Sequence, residues 1–588
     1  MTPGIQDSPA AWPRGGAFLL GPCDPASIFT PEDLNEEQRA IGQLVDEFWK
    51  RDVAPHLVAL LRHEPGVGRS LLLQASSVGL TALHVPEEYG GADLDLLSVL
   101  VAAEHLAEDG SYSGWHMGHA GIGTLPIVWF GTESQRRKYL PRLATADLMA
   151  AYALTEPGSG SDALGLTTRA DLTPDGRAYV LTGQKMWITG GAVADIFIVF
   201  AKVGGEHLTA FIVERDFGVR SGAEEHKMGL SGTSTTALYL DGVTVPVDNV
   251  LGEIGRGHRI AFSVLNSGRL MMGPLAIRGA RRVLQTSVSY ASTRRAFGRP
   301  IAHYGAIREL LSVADVSLFA VEACSWRTGG LIEAERRRLG ATGRLPHEAA
   351  AAAFDEFAAE CAIVKVAASE MLDRVADHGV QVHGGYGYHA DYFVERAYRD
   401  ARINRIFEGT NEINRTLIPT AVLKRAGAGD VHLADVAIDH ARAFASADAS
   451  VPVMPPVDRL RTLALAMLGF GLQTHGDALR QHQYVTTRMA DAMIETYVAE
   501  SADLRARRLS AAGAPAAEVA TARAAIYARD ALTRITRAAE DVIASTADAE
   551  VRHQAVMRAR QVGTPEPVDV LALHERVAQS LFETGDVA

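Results

Sequence analysis

The sequence has few cysteines, no sustained block of basic residues and no long apolar run, and each shortage excludes a class of protein. Its three cysteines, Cys23, Cys324 and Cys361, lack metal-ligand spacing, and so sparse and odd a set is typical of a reducing compartment. No apolar run reaches the roughly 20 residues that a membrane span needs. The net charge of -13 argues against nucleic acid as a partner, because phosphate binding needs clustered Lys and Arg. A soluble globular protein is therefore expected.

The beginning of the sequence shows no targeting signal. Arg14 is the only basic residue among the first 30, and no apolar segment there is adequate for the core of a secretory signal. An Arg-rich amphipathic transit segment is not found either. The expected location is the cytoplasm.

Length and residue patterns predict several domains, because 588 residues exceed what one ordinary core can organise. The periodicity is mostly helical, except for a central stretch that alternates β-branched residues with Gly and Asp turns. The predicted fold class is α+β, mainly α, with a β-barrel-like domain between helical domains. The segments are an arm at 1–30, an N-terminal α-helical domain at 31–151, a β-domain at 152–258, a four-helix domain at 259–425 and, around the Pro-rich break ASVPVMPPVD, an extra helical domain at 426–588.

The stretch IFEGTNEINR, residues 406–415, contains the main catalytic candidate. Its Glu408 lies between Phe407 and Gly409, where apolar surroundings would raise the pKa of the carboxylate and the glycine leaves backbone N–H accessible. Such a group can serve as a general base. Taken alone, the pattern also fits a solvated glutamate at a helix end.

Upstream, QVHGGYGYHADYFVERAYRD spans residues 381–400. Three glycines in four positions let the backbone approach a bulky ligand closely, and Gln381 can donate to a phosphate or a ring. Together with IFEGTNEINR, this stretch resembles the C-terminal signature of the acyl-CoA dehydrogenase family. The matching residues are Gln381, Gly384, Gly385, Gly387, Tyr388, Asp391, Arg396 and Asp400.

Residues 151–165, AYALTEPGSGSDALG, match the first signature of the same family. Small hydroxyl residues beside glycines present O–H and N–H groups to a heterocycle or a phosphate. The resemblance implies that Tyr152, Leu154, Thr155 and Ser161 flank the flavin of an FAD. It further implies that Thr155 bonds the pyrimidine edge of the flavin and that Ser161 also contacts the substrate.

A third match, MWITGG, is another hallmark of the family. By resemblance, Trp187 shields one flavin face, Ile188 contacts the cofactor and Thr189 bonds near flavin N5. A buried core tryptophan is the alternative for Trp187. Gly190 stands where the family often has asparagine.

The family element RxxFG is matched by Arg294, Phe297 and Gly298. It implies a contact with the adenosine pyrophosphate of the FAD in a neighbouring subunit, for which the planar guanidinium fork suits two oxygens at once. Ala296 stands where several relatives have threonine, so one hydroxyl contact is expected to be missing. The other cofactor contacts that the resemblance implies are Gln381, Gly384, Gly385, Thr410 and Glu412.

Substrate contacts are expected at Ser161, Arg269 and Gly409, because Arg269 matches an arginine that lies near substrate and base in relatives. Isovaleryl- and long-chain-type members carry their base at the position before that arginine. This chain has Gly268 there, which leaves Glu408 without a competitor.

The stretch SGWHMGHAGIGTLPIVWFGT is unusually rich in glycine for a helix, where each Gly costs about 1 kcal/mol relative to Ala. When Pro126 is aligned with the proline of the family, Gly114 and Gly118 fall on the positions whose polar side chains close the acyl pocket of medium-chain members. A deep pocket for a long chain is one expectation. Tight helix–helix contact is the other.

Together these matches imply an FAD-dependent acyl-CoA dehydrogenase that makes trans-2-enoyl-CoA in fatty acid β-oxidation. By resemblance, Glu408 takes the α-proton, while its backbone N–H and the flavin ribityl hydroxyl hold the thioester oxygen. The β-hydride passes to flavin N5, and the electrons then pass to an electron-transfer flavoprotein.

Residues 426–588 resemble the extra helical domain of the very-long-chain subgroup, where it covers a surface that other members use to form tetramers. A homodimer is therefore expected. No basic amphipathic face stands out in this segment, so peripheral membrane contact is not favoured.

Three alternatives remain open. An acyl carrier protein of secondary metabolism could replace CoA, which would change only the mouth of the pocket. A flavin monooxygenase or oxidase of the same fold would use O2, but such relatives generally lack the glutamate of EGT. A DNA-binding flavoprotein of the same fold would need a basic C-terminal domain, and the acidic composition counts against it.

Overall fold

The structure is a computed structural model that describes residues 14–427, 432–446, 453–545 and 549–583, together with Gly585 and Val587. Residues 1–13 of the predicted arm lie outside the described residues. So do residues 449–452 of the predicted Pro-rich break.

The N-terminal domain is helical, as predicted. The predicted start at Thr30 is a single 3-10 turn, Pro31–Asp33, and the first α-helix begins six residues later, where Asn35 and Gln38 form a capping box. The helices are α1 Glu36–Phe48, α2 Leu57–Leu61, α3 Val67–Ser77, α4 Leu96–Leu106, α5 Gly110–Met117, α6 Leu125–Phe130 and α7 Glu133–Ala144.

The glycine-rich stretch does not form one regular helix. Helices α5 and α6 are joined by a π-type turn over Gly118–Gly123. A Cβ on Gly123 would lie 2.7 Å from the carbonyl oxygen of Gly118 and 2.9 Å from that of Ala150, so the glycine permits a close approach of the turn to the first strand.

The central domain is one mainly antiparallel sheet of strands in the order β6-β7-β3-β2-β4-β5-β8, with β1 also paired to β4. Strand β5 pairs with β4 along its whole length. The other edge of β4 is therefore shared by two parallel strands, β1 beside its first half and β2 beside its end. The segment between β1 and β2, which contains TEPGSGSD, must therefore leave the sheet beside β4. The strands are β1 Ala150–Ala153, β2 Arg169–Leu172, β3 Ala178–Thr189, β4 Ile196–Val203, β5 His207–Glu214, β6 Arg220–Glu224, β7 Thr235–Pro246 and β8 Val250–Leu251.

Strand β4 is buried on both faces, which explains its continuous apolar sequence IFIVFA. Phe197 and Val199 pack into the core of the β-domain, whereas Ile198 and Phe200 pack into a larger core shared with the N-terminal helices. The sheet is thereby fixed against the helical domains.

The next domain is built on three long helices. By length and composition α8 is the one described helix that could cross a membrane, but 78% of its apolar window is buried within the protein. The elements are α8 Gly257–Thr293, the hairpin strands β9 Arg295–Ala296 and β10 Arg299–Pro300, α9 Gly305–Ala341, α10 Pro346–Glu356, α11 Ala358–His383, α12 Phe393–Ala401 and α13 Asn411–Gly427.

The extra helical domain packs on α9 and α13. Buried ion pairs join it to α9, with Arg327 2.9 Å from Glu500 and Arg523 2.6 Å from Asp315. Its helices are α14 Leu433–Ala445, α15 Pro456–His475, α16 Gln483–Ala511, α17 Ala517–Ile543, α18 Ala549–Gly563 and α19 Val570–Glu583. The predicted fold class is confirmed: the protein is mostly helical around a central β-domain.

The described part of the N-terminal arm bridges α11 and the extra domain. The N–H of Gly16 donates to Glu360 Oε1 at 2.7 Å, and the carbonyl of Phe18 accepts from Arg461 Nε at 2.9 Å. The Phe18 ring also packs on Tyr497. The arm is thus an ordered element that joins two domains.

Candidate active site

The carboxylate of Glu408 lies against the bare backbone of Gly268 on α8. A Cβ at position 268 would stand 2.5 Å from Glu408 Oε2 and 2.9 Å from Cδ. A side chain at 268 and the observed position of Glu408 therefore exclude each other.

Glu408 is held in an unusual environment. Its φ of 58° lies in the left-handed region, and its buried Oε2 has no hydrogen-bond partner among the described residues. Burial raises the pKa of the carboxyl, and the nearby Arg269 and Lys365 cations offset part of that rise. An unpartnered carboxylate with a raised pKa is suited to accept a proton.

Three consecutive carbonyls of the Glu408–Thr410 turn accept hydrogen bonds from side chains. Arg269 Nε donates to the carbonyl of Glu408 at 3.3 Å, and Lys365 Nζ donates to that of Gly409 at 2.8 Å. The amide of Asn414 donates to the carbonyls of Gly409 and Thr410 at 2.8 and 3.0 Å. The turn is therefore fixed by side chains of three different helices.

The N–H groups of Glu408 and Gly409 in the same turn, in contrast, are not hydrogen-bonded to other described residues. Thr410 caps α13, because its Oγ1 accepts from the N–H of Ile413 at 3.2 Å. Glu412 is exposed in the first turn of that helix. The Glu408 N–H is therefore available to a ligand oxygen.

Arg269 is buried beside Glu408. Its Nη1 donates to Asn266 Oδ1 at 2.7 Å, and burial lowers the pKa of its guanidinium. The buried hydroxyl of Tyr152 has no partner among the described residues. Burial together with the Glu408 charge raises the pKa of the Tyr152 phenol well above its ordinary value.

The TEPGSGSD segment is organised by a buried ion pair that the sequence did not reveal. Lys185 Nζ lies 2.8 Å from Glu156 Oε1 and also donates to the carbonyls of Leu154 and Phe200 at 3.2 and 2.7 Å. The second oxygen of Glu156 accepts from the N–H and hydroxyl of Thr167. Burial opposes ionisation, but Lys185 and these donors bring the pKa of Glu156 to about 2.

This pair holds one of the predicted cofactor residues directly, because Lys185 donates to the carbonyl of Leu154. Leu154 is buried, Thr155 is half-buried with its carbonyl bonded by the N–H of Met186, and Ser161 is exposed. Of these three predicted cofactor residues, Ser161 is therefore the most accessible to a ligand.

Trp187 is 56% exposed at a bulge of β3, so the alternative of a buried core tryptophan is wrong. Its φ of 61° breaks the strand alternation. Ile188 points into the core instead, and Thr189 is half-buried. An exposed indole at this site offers a flat apolar surface to a planar ligand.

The two pocket glycines each face a threonine. A Cβ on Gly118 would lie 2.7 Å from Thr189 Cγ2, and one on Gly114 would lie 3.3 Å from Thr233 Oγ1. Gly118 therefore serves close packing, but its neighbour is a strand residue and not a second helix. The adjoining small pocket is lined by Trp115 and Gly118 among others.

The RxxFG residues form the tip of the β9–β10 hairpin. Phe297 is 96% exposed with a φ of 50°, and Gly298 follows with a φ of 86°. The guanidinium of Arg294 lies 5.5 Å from the centre of the Tyr386 ring, which brings it to the glycine turn after α11. Gln381, Gly384 and Gly385 are exposed there, and the two glycines have open space where a Cβ would stand.

The predicted residues therefore form two groups. Lys365 and Gln381 lie on the same helix 16 residues apart, which is about 24 Å at 1.5 Å per residue. The base turn is beside Lys365, and the hairpin group is beside Gln381. Within one chain, the residues of each group lie close to one another, but the group around Glu408 and the group around Arg294 stay apart.

These features fit an FAD. The unpartnered Tyr152 hydroxyl, the exposed Trp187 ring and the hydroxyls of the TEPGSGSD segment suit a flavin, and the open glycines beside Arg294 suit a pyrophosphate. Sequence reasoning missed Lys185, Lys365 and Asn414. A lysine within the apolar helical run AIVKVAAS was the available signal for Lys365, since buried lysines need a partner.

Comparison with known protein families agrees with the fold over most of the chain. Acyl-CoA dehydrogenase models match in four places: the N-terminal domain at residues 35–147, the middle domain at 151–243, and two C-terminal domains at 255–423 and 459–561.

Known relatives extend this agreement. A probable acyl-CoA dehydrogenase of Bacillus subtilis is 39% identical over 97% of this chain and 98% of its own length. The human mitochondrial very long-chain specific acyl-CoA dehydrogenase is 38% identical over 58% of this chain and 51% of its own length. The crystal structure of an acyl-CoA dehydrogenase complexed with FAD from Bacillus anthracis superposes with a TM-score of 0.94 at 39% identity, covering 98% of this chain and 100% of that one.

Proposed function

Because this chain belongs to the acyl-CoA dehydrogenase family and its enzymes depend on FAD, we propose that it oxidises fatty acyl-CoA to trans-2-enoyl-CoA. The observation that carries the proposal is the buried Glu408 carboxylate, which has no partner and lies beside an accessible N–H of its own backbone. One residue thus offers both a base and an oxyanion donor.

The residues of the chain account for proton abstraction. The α-proton of a thioester is a weak acid, so its removal needs a positioned base and a stabilised enolate oxygen. Glu408 takes the proton at its free Oε2, whose raised pKa suits the task. The N–H of Glu408 donates to the thioester oxygen, and Arg269 keeps the turn in place.

FAD, when bound, supplies the acceptor for the hydride that leaves the β-carbon. Tyr152, Leu154, Thr155 and Ser161 would hold its flavin on one side, with Trp187 and Thr189 on another. Thr410 and Glu412 begin the helix that follows the base. Exclusion of water from the space between these residues would strengthen every hydrogen bond to the substrate.

A long acyl chain is the proposed substrate. The similarity to the human very long-chain enzyme supports it, as does the lack of side chains at Gly114 and Gly118. The close contact of Gly118 with Thr189 means that position 118 alone does not provide the depth.

The remaining parts of the proposal concern partners. Electrons pass to an electron-transfer flavoprotein within β-oxidation in the cytoplasm, and the enzyme is a homodimer. The distance of about 24 Å along α11 between the two groups supports the dimer, because Arg294, Phe297 and Gln381 can then serve the FAD of the neighbouring subunit.

The test is an anaerobic titration of the FAD-loaded protein with acyl-CoA esters from C4 to C20, following loss of flavin colour. We expect bleaching that is strongest with long chains and is abolished in Glu408→Gln. Glu360→Gln is the matched control, because Glu360 is also a buried glutamate with an unpartnered oxygen but lies at the arm. If no CoA ester bleaches the intact protein, the proposal fails, and acyl carrier protein thioesters are the next substrates.

A further inference from the structure

Lys365 is a fully buried lysine next to the base turn. It lies in the first half of α11, and it is 0% exposed. Its Nζ donates to the carbonyl of Gly409 at 2.8 Å and to Asn411 Oδ1 at 2.6 Å. Both acceptors belong to the segment that directly follows Glu408.

The charge of Lys365 has no carboxylate in direct contact among the described residues. Lys185, the other fully buried lysine discussed above, forms a 2.8 Å ion pair with Glu156. Burial of an ammonium costs several kcal/mol, so such a group is retained only where it is compensated. Burial lowers the pKa of Lys365 to about 8, and the leading opposing influence is the charge of Glu408.

The acceptors of Lys365 explain why the turn needs support. Glu408 and Gly409 have successive φ values of 58° and 80°, and the first of these is unfavourable for a residue with a side chain. Asn411 is itself fixed, because its amide nitrogen donates to Glu370 Oε1 at 2.9 Å. Lys365 thereby links the strained turn to an anchored helix start.

We propose that Lys365 is a positioning residue for the base: its ammonium fixes the Glu408–Gly409 turn, and its positive charge favours the ionised carboxylate that accepts the substrate proton. This rests on the proposed role of Glu408 and adds the group that sets its geometry and ionisation.

Other charged and titratable groups also face this site. They come from β1, α8, α11 and α13 and would respond to the same changes. They are Tyr152, Arg269, Cys361, Glu370 and Glu412.

The experiment measures the ionisation of Glu408 without turnover. The flavin absorbance is followed as a function of pH in the FAD-loaded protein and in each lysine variant. Glu408→Gln is the blank, because it lacks the titrating carboxyl. In Lys365→Met we expect the Glu408 transition to move to higher pH by about one unit, since removal of a nearby cation disfavours the carboxylate. Lys365→Arg keeps the charge and should keep the transition within a few tenths of a unit.

A second readout is the acid limb of kcat, which should shift upward with the same substitution while KM stays within about threefold. Lys138→Met is the control for loss of a lysine that bonds a side chain elsewhere, since its Nζ lies 2.8 Å from Glu214: it should leave the Glu408 transition in place. If Lys365→Met does not fold, the titration on Lys365→Gln decides in its stead.

An unshifted Glu408 transition in the neutral variants, with only a loss of stability, would overturn the proposal. Because the spectroscopic titration needs no substrate, it remains decisive even if no CoA ester proves to be oxidised.

Discussion

The carboxylate of Glu408 fills the space that a side chain at Gly268 would need: a Cβ at residue 268 would stand 2.5 Å from Glu408 Oε2. Glu408 can hold this position because the facing helix has no side chain at residue 268.

Gly268→Ala should displace the carboxylate. A shift near 1 Å can cost about 100-fold in rate, so we expect kcat to fall by roughly that factor with FAD content unchanged. Gly279→Ala is the control on the same helix, because its Cβ would meet only the flexible end of Leu372 at 3.3 Å. Equal activity of both variants would show that Glu408 tolerates a methyl group at 268.

Lys185→Met should destabilise the β-domain. It leaves Glu156 buried without its counter-ion, which typically costs about 3–5 kcal/mol in the free energy of unfolding. Adding Glu156→Gln should recover part of the loss, because the uncompensated charge is then removed. Urea unfolding of the FAD-loaded variants measures both effects, and a double variant that is no more stable than Lys185→Met would contradict the assignment.

The attachment of the N-terminal arm should weaken as pH rises through neutrality. Burial raises the pKa of Glu360 from 4.5 to about 7, so the folded protein holds this proton more tightly than the unfolded chain. A raised pKa contributes stability at low pH, and this is lost as pH rises through about 7, up to roughly 3 kcal/mol in total.

Hydrogen exchange of residues 14–30 at pH 6 and pH 8 measures this effect. Exchange should be faster at the higher pH after correction for the intrinsic rate. In Glu360→Gln, which still accepts from the N–H of Gly16, the difference should vanish. A difference that persists in that variant would assign the titration to another group.

Phe297→Ala should leave monomer stability within about 0.5 kcal/mol, because an exposed side chain contributes little to folding. The ring is 96% exposed at the hairpin tip. If it reaches the neighbouring subunit, FAD affinity and dimerisation should both fall, as measured by equilibrium dialysis and sedimentation. Tyr484→Ala, at an equally exposed aromatic of the extra domain, should change neither.

The sequence predicted the fold class, and it singled out Glu408, because both depend on local signals. Helical and strand periodicities are read within single segments, and Glu408 lies inside a short matching stretch. Lys365 and Asn411 are 46 residues apart in the chain, so their contact has no local pattern. The same holds for Lys185 and Glu156, and for the contact of Gly118 with Thr189 across two domains.

Bulges and irregular turns were the second kind of feature that the sequence did not predict. The π-type turn over Gly118–Gly123 and the bulge at Trp187 insert residues without changing the overall hydrophobic pattern. Periodicity therefore predicted a continuous helix and strand where the backbone departs from both.

The docked arm also has a consequence for the order in which the protein is made. Its carbonyl at Ile28 is bound by Arg508, 480 residues further along the chain. At about 5–20 residues per second, a ribosome needs roughly 24 to 96 seconds to synthesise that interval. The carbonyl of Ile28 can make this contact only after α16 has been synthesised, so the docking of this part of the arm is completed late.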